Sequence, residues 1–363
     1  MSLKIIDISA LLSTARYSDF DRDQVSKELL KELLTTGFCY ITGFDNDSSN
    51  DLFDLTNNFF SQTQEGKNLA ISLDKARRGY SPSNTENFAS LVGERRPNDV
   101  VEKFRMGPPD CNPSSDPYFQ TKEARLFFYP NTWEGTPQRM KGVMTNYYHN
   151  MYRDVIVIIH KRVFSNLHML SAVYREHLSS VLMKALEIGL QLPENFFLSK
   201  MNKHTSILTV NYFSDCHLPV QQDGESGSTA HPRNLIAQHT DVSMLTIVAQ
   251  DGSSFASLEV LHNNGEWVLV PYHPNSYIVN IGDCLSDWTK GLLKSTLHRV
   301  RFVGTKIDSF VSERVIESTR YEGGQGGSSG SRSFSPTTRT SVAYFLSPDY
   351  DALMSMSISD LVS

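Results

Sequence analysis

The chain has 363 residues, of which 39% are apolar and 20% charged, with a formal net charge of −6 and a pI near 6.0. That length accommodates one large domain or two ordinary ones, and the apolar share supports a substantial core, which excludes wholesale disorder. No broad basic signal stands out, so nucleic acid is not expected as a partner.

The opening MSLKIIDIS lacks a basic start followed by a long apolar run, so no secretory signal is expected. Lys4 to Ile8 reads as a short strand. A helix follows, with Val25, Leu29, Leu30, Leu33 and Leu34 on one face at a 3.6 period, and Gly37 ends it. Phe38 to Ile41 reads as a strand. Ser48 and Ser49 are candidate caps for a second helix carrying Leu52, Phe53, Leu55, Phe59 and Phe60. Residues 74–120 are rich in Pro, Asn, Gly and Arg and read as ordered loops with short strands. Residues 138–190 are expected to be mainly helical, ending in an amphipathic stretch from Leu178 to Leu190, with Pro193 marking a break. The most apolar run, Val155 to Ile159, is far too short to span a bilayer, and no membrane association is expected.

From His204 onward short β-rich runs recur: Ile207–Phe213, Leu235–Ala249, Leu258–Leu261, Trp267–Tyr272, Tyr277–Ile281, Thr296–Val303 and Thr340–Leu346. Turn signals separate most of them, a pattern that suggests a sandwich or a jelly roll without choosing between the two. The Gly/Ser-rich stretch from Gly323 to Ser335 cannot bury apolar surface and reads as a mobile loop. Three regions result: a mixed α/β region over 1–130, a helical segment over 131–203 and a β-dominated core over 204–349, with the mobile loop near 304–338. Cys39, Cys111, Cys216 and Cys284 stand far apart with no CxxC pair, as reduced thiols of a cytoplasmic protein would.

The chemistry concentrates in Gln238-His239-Thr240-Asp241. Residues two apart in a strand share a face, so His239 and Asp241 would aim an imidazole and a carboxylate at one point. His298 supplies a second imidazole from another predicted strand. Two histidines and one carboxylate leave the opposite face of a metal open, which suits Fe(II) rather than a closed thiolate zinc site. Taken alone, HxD is a weak signal. Downstream, Arg339 and Ser341 share a strand face, and a guanidinium fork with a neighbouring hydroxyl suits a carboxylate.

These motifs and others occur in the order found in the isopenicillin N synthase-like family of iron oxygenases, which the chain resembles over most of its length. The opening IIDIS, LLTTGFCYITGF, FFSQTQEGK and RGYSP are similar to the family's N-terminal passages. VNYF, AQHTDVSMLTIVAQD, LEVL, WVLVPYHPNSYIVNIGDCLSDWTKG, STLHRV and RTSVAYFLSP follow. The resemblance implies a double-stranded β-helix, a jelly-roll barrel with flanking helices and an N-terminal α/β region. It implies Fe(II) on His239, Asp241 and His298, and 2-oxoglutarate on Arg339 and Ser341, with Asn211 and Tyr212 beside it. The family's next tyrosine is replaced by Phe213. Two further departures are an insertion into a family helix at 155–175 and a long interval between His298 and Arg339. The chain ends soon after LSPDYDALM, where many relatives continue with a helix over the barrel mouth, so a more open site is expected.

The implied activity is an Fe(II)- and 2-oxoglutarate-dependent dioxygenase that uses O₂ to hydroxylate or desaturate a small organic substrate, releasing succinate and CO₂, with ascorbate as an accessory reductant. Arg78, Tyr80, Phe104 and Arg105 are the candidate substrate contacts, and a monomer is expected. Two alternatives stand beside it. One is a 2-oxoglutarate-independent oxidase of the isopenicillin N synthase or aminocyclopropane carboxylate oxidase kind. The other is a non-catalytic small-molecule-binding protein on the same barrel.

Overall fold

A computed structural model describes residues 3–12, 16–44, 47–72, 76–109, 111, 116–152, 177–217, 234–303 and 337–352. The expected insertion at 155–175 and nearly all of the Gly/Ser-rich loop lie outside these residues. In chain order the strands are β1 (Ile5–Asp7), β2 (Phe38–Thr42), β3 (Gly79–Ser81), β4 (Glu102–Met106), β5 (Ile207–Ser214) and β6 (Asn234–His239). They continue with β7 (Leu245–Gln250), β8 (Ala256–Leu261), β9 (Trp267–Val270), β10 (Tyr277–Ile281), β11 (His298–Phe302) and β12 (Thr338–Leu346).

These strands form two sheets. The larger runs β1-β2-β10-β7-β12-β5-β4-β3, and the smaller runs β6-β11-β8-β9. Phe38, Phe213 and Ile278 of the larger sheet share a buried cluster with Ile236, Leu258 and Val300 of the smaller one. The two inner faces therefore close on each other, as in a jelly roll.

Helices cover the outer face of the larger sheet. The helix Asp19–Thr36 starts with a capping box between Ser18 and Asp21 and ends at Gly37 in the left-handed region. It buries Leu29, Leu30 and Leu33, whereas Leu34 is exposed. The helices Asp47–Phe60, Met140–Met151 and Leu178–Gly189 add Phe59, Tyr147 and Leu182 to a second cluster, which includes Val210, Ile247, Val279 and Val342 of the sheet. Each such aliphatic or aromatic side chain contributes roughly 1.5–3 kcal/mol when fully buried.

The structure differs from the sequence reading in three places. Ser48 and Ser49 lie inside the first turn of the helix Asp47–Phe60 and are not its caps. The run Leu235–Ala249 divides into β6 and β7, separated by residues 240–244. The short helix Asp283–Trp288 had no clear signal. The first and last of the three expected regions also share one sheet, because β2 pairs with β10 and β4 pairs with β5.

Candidate metal centre and its cavity

His239 is the last residue of β6 and His298 the first of β11, and the two are directly paired across the strands. Asp241 lies past the end of β6, in the bend that leads to β7. Strand parity is thus not what brings Asp241 to the histidines; the turn after β6 does. The Asp283 N–H donates to the Asp241 carbonyl at 2.6 Å, and the Gly282 N–H to the Met244 carbonyl at 2.9 Å, which fixes that turn. Gly282 packs so closely on Ser243 that a Cβ there would collide with the Ser243 carbonyl.

The potential ligand atoms of His239, Asp241 and His298 all lie within 4.8 Å of one another, and all three residues are buried. Asp241 Oδ1 is 3.7 Å from His239 Nε2 and 3.5 Å from His298 Nε2. His239 Nδ1 is 2.8 Å from the Ala237 carbonyl, and His298 Nδ1 is 3.1 Å from the Thr296 carbonyl. A carbonyl only accepts, so each Nδ1 carries the proton and each Nε2 turns its lone pair toward the shared point. The other carboxylate oxygen of Asp241 accepts from Thr246 Oγ1 at 2.6 Å and Asn280 Nδ2 at 2.9 Å. Oδ1 is left facing the imidazoles.

Burial, with the neighbouring His298 charge, pushes His239 down to about 3, so it is neutral and ready to ligate. Burial also opposes charge on Asp241, but the two imidazoles and Asn280 outweigh it and hold the carboxyl well below its ordinary range. For His298, the attraction of Asp241 outweighs burial and raises its pKa. A neutral His239 nitrogen, an ionised Asp241 oxygen and the His298 Nε2, which gives up its proton when a cation binds, converge from one side as the donor set that a divalent metal requires.

A cavity of about 350 Å³ opens on this cluster. Its wall on the larger sheet is ordered by register. Arg339 of β12 is opposite Phe213 of β5. Ser341 is opposite Asn211 on one side and Gln250 on the other, and Asn211 in turn faces Lys103 of β4. Ala343 is opposite Thr209, which faces Arg105. Arg339 is 2% exposed. One Nη donates to Gln250 Oε1 at 3.1 Å, while Nη1 has no hydrogen-bond partner. A buried guanidinium with an idle donor is costly unless a ligand completes it, so the residues present fit a carboxylate here.

Not every expected site residue faces the cavity. Asn211, Ser341, Arg339 and Arg105 line it. Tyr212 alternates to the other side of β5, where its ring stacks on Phe60 at 4.8 Å. Tyr80 also points outward, packing on Phe59 and donating to the buried Glu102. Phe104 packs between Phe59 and Trp133. Arg78 is buried and donates to the Phe127 carbonyl at 2.6 Å. None of these four is among the residues that line the cavity. Parity alone bars Asn211 and Tyr212, or Phe104 and Arg105, from facing one site together.

Among the lining residues that escaped the sequence reading are Phe88, Lys103 and Asn280. Phe88 stands over His239 with ring centroids 4.8 Å apart, and Lys103 Nζ lies 3.8 Å from the Phe88 ring centre. Asn280 orients Asp241. Phe88 opens the short 3-10 helix Phe88–Val92 and Lys103 lies in β4, both far from the HTD motif and without a local signal. Asn280 lay within a passage already matched to the family, yet nothing local tied it to Asp241.

Comparisons with known proteins agree with this geometry. A model of the non-haem dioxygenase N-terminal region, described for morphine synthesis, matches residues 3–135. A model of the 2OG-Fe(II) oxygenase superfamily matches residues 204–321. A homoarginine-6-hydroxylase of Arabidopsis thaliana is 27% identical, over 90% of this chain and 91% of its own length. A 2-oxoglutarate-dependent dioxygenase of Aspergillus rugulosus is 25% identical, over 78% and 76%. The fold is similar to that of a Neurospora crassa protein solved in complex with alpha-KG and thymine, with a TM-score of 0.61 and 20% identity over 96% of this chain and 86% of that one. Jelly-roll sheets, a buried His-Asp-His cluster and two family matches along the chain lead to one identification: the protein belongs to the 2OG-Fe(II) oxygenase superfamily and is an Fe(II)- and 2-oxoglutarate-dependent dioxygenase acting on a small substrate.

Proposed function

We propose that His239, Asp241 and His298 hold the iron, that Arg339 with Ser341 and Asn211 receives the distal carboxylate of 2-oxoglutarate, and that the enzyme hydroxylates a C–H bond of a small organic molecule. The reaction consumes the substrate, 2-oxoglutarate and O₂, and gives the alcohol, succinate and CO₂. The observation that carries this reading is the buried, incompletely bonded Arg339 in the same cavity as the three converging donors. The names of relatives such as the homoarginine hydroxylase favour hydroxylation over desaturation.

Each side chain has a defined part. The Ala237 and Thr296 carbonyls hold the imidazole tautomers, and Thr246 and Asn280 hold the Asp241 carboxylate. Phe38 packs edge-on against His298 at 5.4 Å, and Phe88 covers His239, so two rings keep water from the ligand nitrogens. Arg339 fixes one end of the co-substrate by charge and by hydrogen bonds. Bound Fe(II) with 2-oxoglutarate and O₂ supplies the oxidising power needed to break an unactivated C–H bond. The protein contributes position and a dry, shaped chamber.

Anaerobic addition of Fe(II) and then 2-oxoglutarate tests the assignment. A visible charge-transfer band is expected from the wild type. It should vanish in His298→Ala at any co-substrate concentration, and in Arg339→Ala return only at much higher 2-oxoglutarate. A band of unchanged midpoint in Arg339→Ala would remove that residue from the proposal. All four cysteines are free thiols, which supports a reducing, cytoplasmic compartment. No described helix is long and apolar enough to cross a membrane.

A further inference from the structure

A second cationic position faces the cavity beyond the one assigned to 2-oxoglutarate. Arg105 and Lys103 project from β4 on the cavity side, one step apart in parity. Glu86 sits against both: it accepts from Lys103 Nζ at 2.8 Å and from both Arg105 Nη atoms at 2.6 Å. Arg77 approaches the same carboxylate at 3.2 Å from a more exposed position. The other carboxylate near Lys103 is Asp99, whose two oxygens accept from the Phe88 and Ala237 N–H groups. Three cations thus meet two carboxylates, and the two best-buried cations are the ones that line the cavity.

Register shows which ligand this charge can serve. Arg339 is level with Phe213, and Ser341 with Asn211 and Lys103. Arg105 is a further step along, level with Thr209 and Ala343, on the way to Ile207 and Phe345 at the other end of the cavity wall. A carboxylate on Arg339 leaves Arg105 free for a second acid. The bidentate Glu86 contact and a third bond, from Arg105 Nη1 to Ser81 Oγ at 3.1 Å, fix the guanidinium plane and leave the second Nη2 hydrogen and the Nε hydrogen for a ligand. Thr209 stands beside Arg105, and the same cavity carries an apolar lining of Phe127, Ile207, Val248 and Phe345.

We infer that the primary substrate is an amphipathic carboxylic acid whose carboxylate docks on Arg105 while its apolar body lies against Phe127, Ile207 and Phe345. The inference rests on the reaction proposed above and narrows it. A cationic substrate is disfavoured, because Glu86, the acidic group behind this wall, is already enclosed by three cations. Arg105 acts here as a specificity-determining residue.

The test uses the full chain with Mn(II) in place of iron and saturating 2-oxoglutarate. Medium-length alkyl and aryl monocarboxylic acids are compared with their methyl esters, primary amides and matching amines. Binding is read as a shift in thermal midpoint and by calorimetry, and coupled succinate release is read separately with Fe(II). Acids are expected to bind at least about tenfold more tightly than their esters and amides. In Arg105→Gln that preference should be lost while 2-oxoglutarate affinity is unchanged, and Arg105→Lys should restore part of it. Equal binding of esters or amines, no binding by any acid, or a preference that survives Arg105→Gln would overturn the inference. The melting midpoint of each variant without ligand shows whether it folds. If acids bind through Arg105 but Fe(II) with 2-oxoglutarate gives no charge-transfer band, the reaction assignment fails and the recognition site stands. The converse result isolates the failure to Arg105.

Discussion

Arg339 is a buried cation whose hydrogen bonding is incomplete in the absence of a ligand. Its removal should therefore have different effects on the free and the loaded protein. Arg339→Met is expected to change the melting midpoint of the ligand-free protein little, since the cost of burying an incompletely bonded cation offsets its attraction to the nearby Asp251. The same variant should bind 2-oxoglutarate roughly a hundredfold more weakly, the loss expected for a charge-assisted pair of about 2–3 kcal/mol. Calorimetry on both forms checks this, and a strongly destabilised free protein would contradict it. His204 shows how burial becomes a pH dependence. It packs against Tyr152 at 4.1 Å and Tyr148 at 5.9 Å, and burial, helped by His149, lowers it from 6.5 to about 3. The unfolded chain therefore takes up a proton that the folded one refuses as pH falls below about 6.5. Stability from this residue is complete above that pH and is lost progressively toward pH 3, by up to about 5 kcal/mol. His204→Phe should flatten this part of the acid-denaturation profile, measured by urea midpoints across pH. At this scale the sequence displayed the ligand types and the lone arginine. It did not display which of two adjacent residues faces inward, as Tyr212 and Arg105 illustrate.

Elements deliver these side chains through backbone contacts. The turn from Thr240 to Met244 places Asp241, and Gly282 lies directly under it. Gly282→Ala is expected to displace that turn and lower metal affinity at least tenfold while leaving the three candidate ligands intact, measured by Mn(II) titration. Asn280→Ala should act on the same carboxylate from the neighbouring strand, with a loss of roughly 10–100-fold, in the range seen when a ligand's supporting hydrogen bond is removed. Helix termini matter as well. Gly37 has φ of 73° and packs on Thr296, whose carbonyl accepts from His298. The strand and helix periods were readable because side chains on one face repeat regularly. The break between β6 and β7 was not, because Thr240 to Met244 turns the chain without a proline or glycine.

The molecule as a whole has a sheet whose two edges come from the start of the chain and whose centre comes from the end. β1 and β2 attach to β10 on one side, while β3 and β4 attach to β5 on the other. The sequence resemblance marked these parts in order but could not show that they interleave, since pairing between residues so distant leaves no local trace. This arrangement has a consequence for synthesis. Cys39 and Tyr40 leave the ribosome long before their partners Val279 and Ile278. At roughly 5–20 residues per second, the edge of β2 stays unpaired for on the order of ten seconds or more. A nascent chain stalled before residue 277 should remain protease-sensitive throughout its first third and bind holdase chaperones. Release of the finished chain should convert that segment to a resistant form in a single step.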